Sequence, residues 1–396
     1  MPTTDTQARI AHSPIVTAFA GLLALAVAMG IGRFAFTPVL PMMLEDVGLS
    51  IAQGGLLASA NYAGYLIGAI SATLIRIRPA IAIRAGLMII AITTLAMGLH
   101  FPFAGWLVMR LLAGIASAWV LISISTWSLE TLAKYQRPVL SSVVFAGVGV
   151  GIAIAGLTCI ALSNRGATSS QAWVTLGLLS AAATAFIWPL FYRQDESPGN
   201  NQTDIPTKHR WNAESIRLVV CYGIFGFGYI IPATFLPVMA KHALRDPALF
   251  GWSWPVFGLA AAISTLAVAP LSRYVSSRHL WIAGHVILAL GVALPAVRSN
   301  PATVFVAALF VGGTFMVITL GAMQEAKRVA GRDATVLIAA MTSSFAAGQI
   351  AGPLSITYGL GRDGGFSTAL LIAAALLLVG AFALSGRSAS SQPAAG

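Results

Sequence analysis

Charge is what this chain of 396 residues has least of. Asp, Glu, Lys and Arg make up 9% of it, against 57% hydrophobic residues and a mean hydropathy of +0.84. A water-soluble domain carries about 25% charged residues, so a soluble globular protein is excluded. Acids are scarcest: there are 12, and every one falls in a tail, a loop or at the end of an apolar run. Cysteine is nearly absent. Cys159 and Cys221 sit inside separate apolar runs and suggest neither a disulfide nor a metal site. No GxxxxGK phosphate loop is present, which argues against ATP-driven pumping. A membrane transferase would need a buried nucleophile, base or metal set, and His285 stands alone in its run. No catalytic residue, cofactor or metal is therefore expected.

What the chain does have is apolar runs of bilayer-spanning length, about 20 residues for a helix. With Gly, Pro and charge clusters as breaks, twelve candidate spans emerge: 14–43, 52–75, 80–99, 101–129, 138–162, 171–192, 214–241, 248–271, 279–298, 301–325, 333–359 and 364–386. The first is too long, and lacks the polar cleavage region, to be a removable signal peptide. The expected organisation is an N-terminal tail (1–13), a six-helix half (14–192), a linker rich in Pro, Asn and charge (193–213), a second six-helix half (214–387) and a C-terminal tail (388–396). Tails and linker read as disordered or flexible.

The net charge of +11 and pI near 10.3 invite a nucleic-acid reading, but placement opposes it. Of the 23 Lys and Arg, two (Arg33 and Arg110) fall deep inside spans and five (Arg165, Lys241, Arg245, Arg298 and Arg362) fall on one side. The remaining sixteen lie on the side of the N-terminus. That is the positive-inside pattern, so both termini are expected in the cytoplasm of a multi-pass protein of a bacterial inner membrane.

The segment GIGRFAFTPVLPMM at 30–43 returns 196 positions later as GFGYIIPATFLPVM at 226–239. Gly30, Gly32, Leu40, Pro41 and Met43 align with Gly226, Gly228, Leu236, Pro237 and Met239. Arg33 is answered by Tyr229. Gly147 and Gly151 in span five, and Gly348 and Gly352 in span eleven, repeat a GxxxG spacing, the latter followed by Pro353. Glycines four apart let another backbone approach closely. They serve either packing or sliding surfaces on which the halves rock.

Several segments together resemble the major facilitator superfamily, and within it the YbfB/YjiJ-like group. They are GIGRFAFTPVLPMML at 30–44, GLLASANYAGYLIGA at 55–69, GFGYIIPATFLPVMA at 226–240, GWSWPVFGLAAA at 251–262 and GQIAGPL at 348–354. In span four Arg110, Gly114, Ala116, Ser117 and Ala118 look like that superfamily's arginine motif. The resemblance implies an all-α integral membrane fold of twelve helices in two pseudo-symmetric halves, with a site between them and alternating access. Three features depart from the superfamily pattern: no acid precedes the basic residues Arg76, Arg78 and Arg84, the equivalent loop at 269–279 also lacks the Asp, and Gly-Pro stands in span eleven rather than span five.

Arg33 and Arg110 are the first candidates for a substrate site. A charge in mid-membrane costs at least about 2.5–3.5 kcal/mol, so it faces a wet cavity or a partner. Arg33 lies twelve residues before Glu45 and Arg110 ten past His100, which puts them at ~18 and ~15 Å of helix rise from one membrane side. Neither has a span acid to balance it. An uncompensated guanidinium favours a carboxylate or similar anion through two parallel hydrogen bonds; the alternatives are a purely structural role for Arg33 and, for Arg110, capping backbone carbonyls or ordering a loop. Asn61, Tyr65, Tyr229, Thr234 and Gln349 are further candidate ligand contacts, each with a packing alternative. Trp127, Trp252 and Trp254 lie near span ends, where aromatic belts form. Glu130 and Glu325 are expected in ion pairs at helix ends, and His285 as a packed or lipid-facing residue.

The expected function is a secondary or facilitative carrier of a small organic molecule, with an anion as the leading substrate class. A transporter-like sensor or scaffold is the alternative. The expected partners are the substrate, a coupling proton or counter-anion, and membrane lipids; nucleic acid is not one of them, and the expected state is a monomer.

Overall fold

The computed structural model describes residues 13–75, 77–133, 138–192, 211–243, 251–298, 300–331, 334–360 and 366–386. Both expected tails apart from Ser13, most of the expected linker, Arg76 and the Glu130 side chain lie outside these residues. Among the described residues there are twelve long helices and no strand. Helix α1 spans Pro14–Asp46 as two limbs, Pro14–Leu25 and Phe36–Asp46, joined by π-helical Ala26–Ile31 and a turn over 32–35. There follow α2 (Ile51–Leu74), α3 (Pro79–Met97), α4 (Phe103–Ala133), α5 (Pro138–Ser163), α6 (Ser169–Tyr192) and α7 (Ala213–Ala243). The last five are α8 (Ser253–Leu271), α9 (Ser277–Val297), α10 (Pro301–Ala330), α11 (Ala334–Ser355, continuing as π-helical Ile356–Leu360) and α12 (Ser367–Ser385).

Number and order match the expected spans. Boundaries differ most at the start of α8, which begins at Ser253, and at the ends of α4 and α10, which run on to Ala133 and Ala330. Among the described residues eleven helices are long and apolar enough to cross a bilayer. The exception is α2, whose Gln53, Asn61 and tyrosines lower its hydropathy. Local chemistry fixes several starts: Ser50 and Gln53 form a reciprocal capping box on α2, and Asn300 with Thr303 does the same on α10, where Pro301 takes the first turn.

Helix pairing repeats along the chain. α2 packs on α4, α3 on α4 and α6, and α1 on α5; six helices later α8 packs on α10, α9 on α10 and α12, and α7 on α11. The first six meet the last six along α5 with α8, α2 with α11, and the second limb of α1 with α7. The face at which α1 starts is the near face; the one at which it ends is the far face. Ties between the two groups run from mid-helix to the far face, from Ser59–Ile350 to Ala52–Thr357 between α2 and α11. Between α5 and α8 they run from Gly149–Ala262 to Ile160–Gly251.

The packing bears on two expectations. The sliding role does not fit Gly147, Gly151 and Gly348. A Cβ on Gly147 or Gly151 would strike the backbone of Leu22 or Ala26 in α1, and one on Gly348 would strike Gly223 in α7, all within one group of six. Gly352 likewise faces Ile230 of α7, and Pro353 precedes the π-helical end of α11. The close approach between groups uses the other side of α5, where Gly149 and Ala153 meet Gly258 and Ala262. The aromatic belt fits only Trp252: Trp254 is fully buried and stacks on Phe257, and Trp127 packs edge-on against Phe191. Their positions near span ends did not reveal that neighbouring helices cover them.

Candidate functional site

The site is built on the break in α1. Pro38 has no amide proton for the Phe34 carbonyl, so the Thr37 amide turns to that carbonyl (3.2 Å). The Arg33 carbonyl thereby loses its helical partner. Upstream, the Gly32 amide reaches back to Val27 (2.8 Å) and Phe34 to Met29 (3.1 Å), the wider loops of a π-helix. Arg110 of α4 answers the freed carbonyls, Nη1 donating to Gly32 (3.3 Å) and Nη2 to Arg33 (3.1 Å). Asn61 of α2 donates to the Gly32 carbonyl (3.4 Å) and to that of Arg110 (2.9 Å), and Ser117 donates to Ala28 (2.7 Å). A buried carbonyl left unpaired costs about 1–3 kcal/mol, so these groups hold the break open at low cost.

The break turns the Arg33 side chain toward α2 and α11. It is 2% exposed, with its guanidinium carbon 3.9 Å from the centre of the Tyr65 ring and 5.3 Å from that of Tyr62. Its Nη2 donates to Gln349 Oε1, and Gln349 Nε2 donates to the Tyr229 hydroxyl (2.6 Å). Arg33 Nε has no partner. Arg33, Tyr65, Gln349 and Tyr229 are thus brought together, and Thr234 joins them through its hydrogen bond with Tyr62 (3.0 Å). Asn61 and Arg110 lie behind, on the backbone of α1. The cation over Tyr65 recovers about 0.5–2 kcal/mol of its burial cost.

Tyr229 is one layer of an aromatic column. Its ring stacks on Phe315 (5.7 Å, 4°) and on Phe345 (5.7 Å, 9°), and Phe315 continues to Phe257. The column was not foreseen. Phe257, Phe315 and Phe345 come from α8, α10 and α11, and nothing in the local sequence of any one of them signals the stack.

Repeat-equivalent residues face each other across the two groups. Thr37 donates to the Ala233 carbonyl (2.8 Å), 196 positions away, which is the repeat offset itself. Glu45 pairs with Lys241 at the far face, again one offset away. A second equivalence appears in the packing: a Cβ on Gly114 would strike the Asn61 carbonyl, and one on Gly312 the Phe257 carbonyl. The polar set Arg33, Asn61 and Arg110 therefore answers to Tyr229, Phe257 and Ala308.

The four acids whose side chains are described are engaged elsewhere. Glu45 pairs with Lys241, and Asp46 accepts from the backbone and hydroxyl of Ser169 (hydroxyl 2.9 Å). Glu214 holds Arg217 and Arg278, while Glu325 holds Arg328 (2.7 Å) and Ser277 (2.9 Å) at the near end of the last six helices. His285 is fully buried beside Trp281 and Phe225, so it is packed rather than lipid-facing.

A family model described as "Uncharacterised MFS-type transporter YbfB" matches residues 25–385. No curated protein matches the chain. Among solved structures, a mutant of the nucleoside transporter NupG superposes with a TM-score of 0.71 at 16% identity, covering 94% of this chain and 99% of its own. At that identity the likeness establishes the fold alone.

Proposed function

The chain belongs to the MFS-type transporter family of YbfB, a multi-pass membrane transporter with small-molecule cargo rather than an enzyme, and we propose that its cargo is a small organic anion read by Arg33. The observation that carries this reading is charge imbalance. Arg33 is buried in mid-membrane and ties the first six helices to the last six, yet every described acid is committed elsewhere. An anion entering between the groups supplies the missing negative charge, and Tyr65, Tyr229, Thr234 and Gln349 line its approach. Arg110 and Asn61 act as positioning residues through the α1 break.

Transport then proceeds as alternating access between halves 14–192 and 214–387. In this reading the near face, which carries the basic bias, is the cytoplasmic face of a bacterial inner membrane. With ties gathered from mid-helix outward, the far face is closed in this conformation. Counterflow in proteoliposomes with organic anions and neutral compounds, with and without a pH gradient, tests the reading. Anion counterflow lost in Arg33→Ala and Arg33→Lys is expected, and the pH-gradient arm reads whether a proton travels with it. Neutral or cationic transport surviving both substitutions would sink it.

A further inference from the structure

The Nε–H and Nη2–H bonds of a guanidinium point the same way along one edge, the edge that grips a carboxylate with two parallel bonds. In Arg33 only one of these two nitrogens has a partner. Nη2 meets the amide oxygen of Gln349, and Nε, buried with the rest of the side chain, meets nothing. Gln349 is itself fully buried, and its other amide atom is spent on Tyr229. A neutral side chain from α11 thus sits where a planar oxyanion fits better, because a carboxylate has a second oxygen for Nε and can still accept from the Tyr229 hydroxyl.

We infer that Gln349 is a built-in stand-in for the substrate's carboxylate, and that loading exchanges one for the other on Arg33. The inference rests on the anion reading above and narrows it to planar carboxylates. It also gives loading a mechanical consequence. The Arg33–Gln349 bond joins the first six helices to the last six at the centre, so a carboxylate that takes the arginine releases that tie. Once cargo leaves, the amide returns and neutralises part of the desolvation of Arg33, which lets the empty carrier close.

The test needs no identified substrate in its first arm. Gln349→Glu places a carboxylate permanently on that edge and exchanges a neutral acceptor for a charged one. The full-length protein in detergent should melt about 2–4 °C higher. The gain should vanish, and turn to a loss, in the Arg33→Gln/Gln349→Glu double variant. Gln349→Leu, which keeps bulk without an acceptor, should melt lower than wild type. A fall in melting temperature for Gln349→Glu with Arg33 present, or an equal change with and without Arg33, overturns the inference.

The second arm is counterflow with benzoate, pyruvate, methylphosphonate and benzamide. Flux of carboxylates in wild type, reduced at least tenfold in Gln349→Glu, supports the exchange. Flux confined to methylphosphonate overturns the carboxylate assignment while the anion reading stands. Flux confined to benzamide overturns the anion reading itself.

Discussion

Two contacts of the same design can be compared directly: Gly114 of α4 against the Asn61 carbonyl in the first six helices, and Gly312 of α10 against the Phe257 carbonyl in the last six. Around the first stand Arg33, Asn61 and Arg110; around the second stand Tyr229, Phe257 and Ala308. The backbone approach is the same, but the chemistry is not. One group spends polar side chains on holding a broken helix and aiming a charge. The other fills the equivalent volume with stacked rings. The same close backbone approach thus carries polar side chains beside it in one group and stacked rings in the other.

The largest effect should come from removing the charge. Arg33→Ala should lower anion flux by at least about a hundredfold, the loss of two charge-assisted hydrogen bonds at about 1.5–3 kcal/mol each, read by counterflow. The Tyr229→Arg variant sharpens the contrast: adding the same charge to the second copy should not rescue Arg33→Ala, because no Arg110 or Asn61 equivalent aims it.

Next is the support of the break. Arg110→Ala leaves the Arg33 carbonyl without its donor and the Gly32 carbonyl with Asn61 alone, and should cost about 1–3 kcal/mol, visible as a lower melting temperature than that of Arg33→Ala. Equal melting temperatures for the two variants would erase the division between reader and positioner.

Gly114→Val and Gly312→Val should each cost about 1–3 kcal/mol through overpacking, whereas Gly313→Ala, whose Cβ meets open space, should stay within about 0.5 kcal/mol. A tolerant Gly312 would break the equivalence of the two contacts. The smallest effect belongs to the exposed Glu45–Lys241 pair at the far face. Lys241→Ala removes about 0.2–1 kcal/mol, so alkylation of Cys159, which lines a far-face pit with Glu45 and Pro237, should speed up no more than about fivefold.

How much of this was legible beforehand follows from which interactions are local. Twelve helices could be read from hydropathy because each span carries its own signal. The 30–43 and 226–239 match announced the duplication, and the missing span acids singled out Arg33. The roles of Arg110 and Asn61 were open because carbonyl capping depends on the α1 break, which proline and glycine permit without dictating. The choice between packing and sliding in α5 was open for the same reason: Gly147 and Gly149 lie two residues apart, and only the packed neighbours tell which side faces α1 and which faces α8.

Charge displacement on solid-supported membranes tests the central claim most directly. Concentration jumps of carboxylates applied to wild-type protein should give, for at least one of them, a charge transient, and Arg33→Gln should give none. Transients of equal size in Arg33→Gln, or wild-type responses to neutral and cationic compounds alone, would contradict the account.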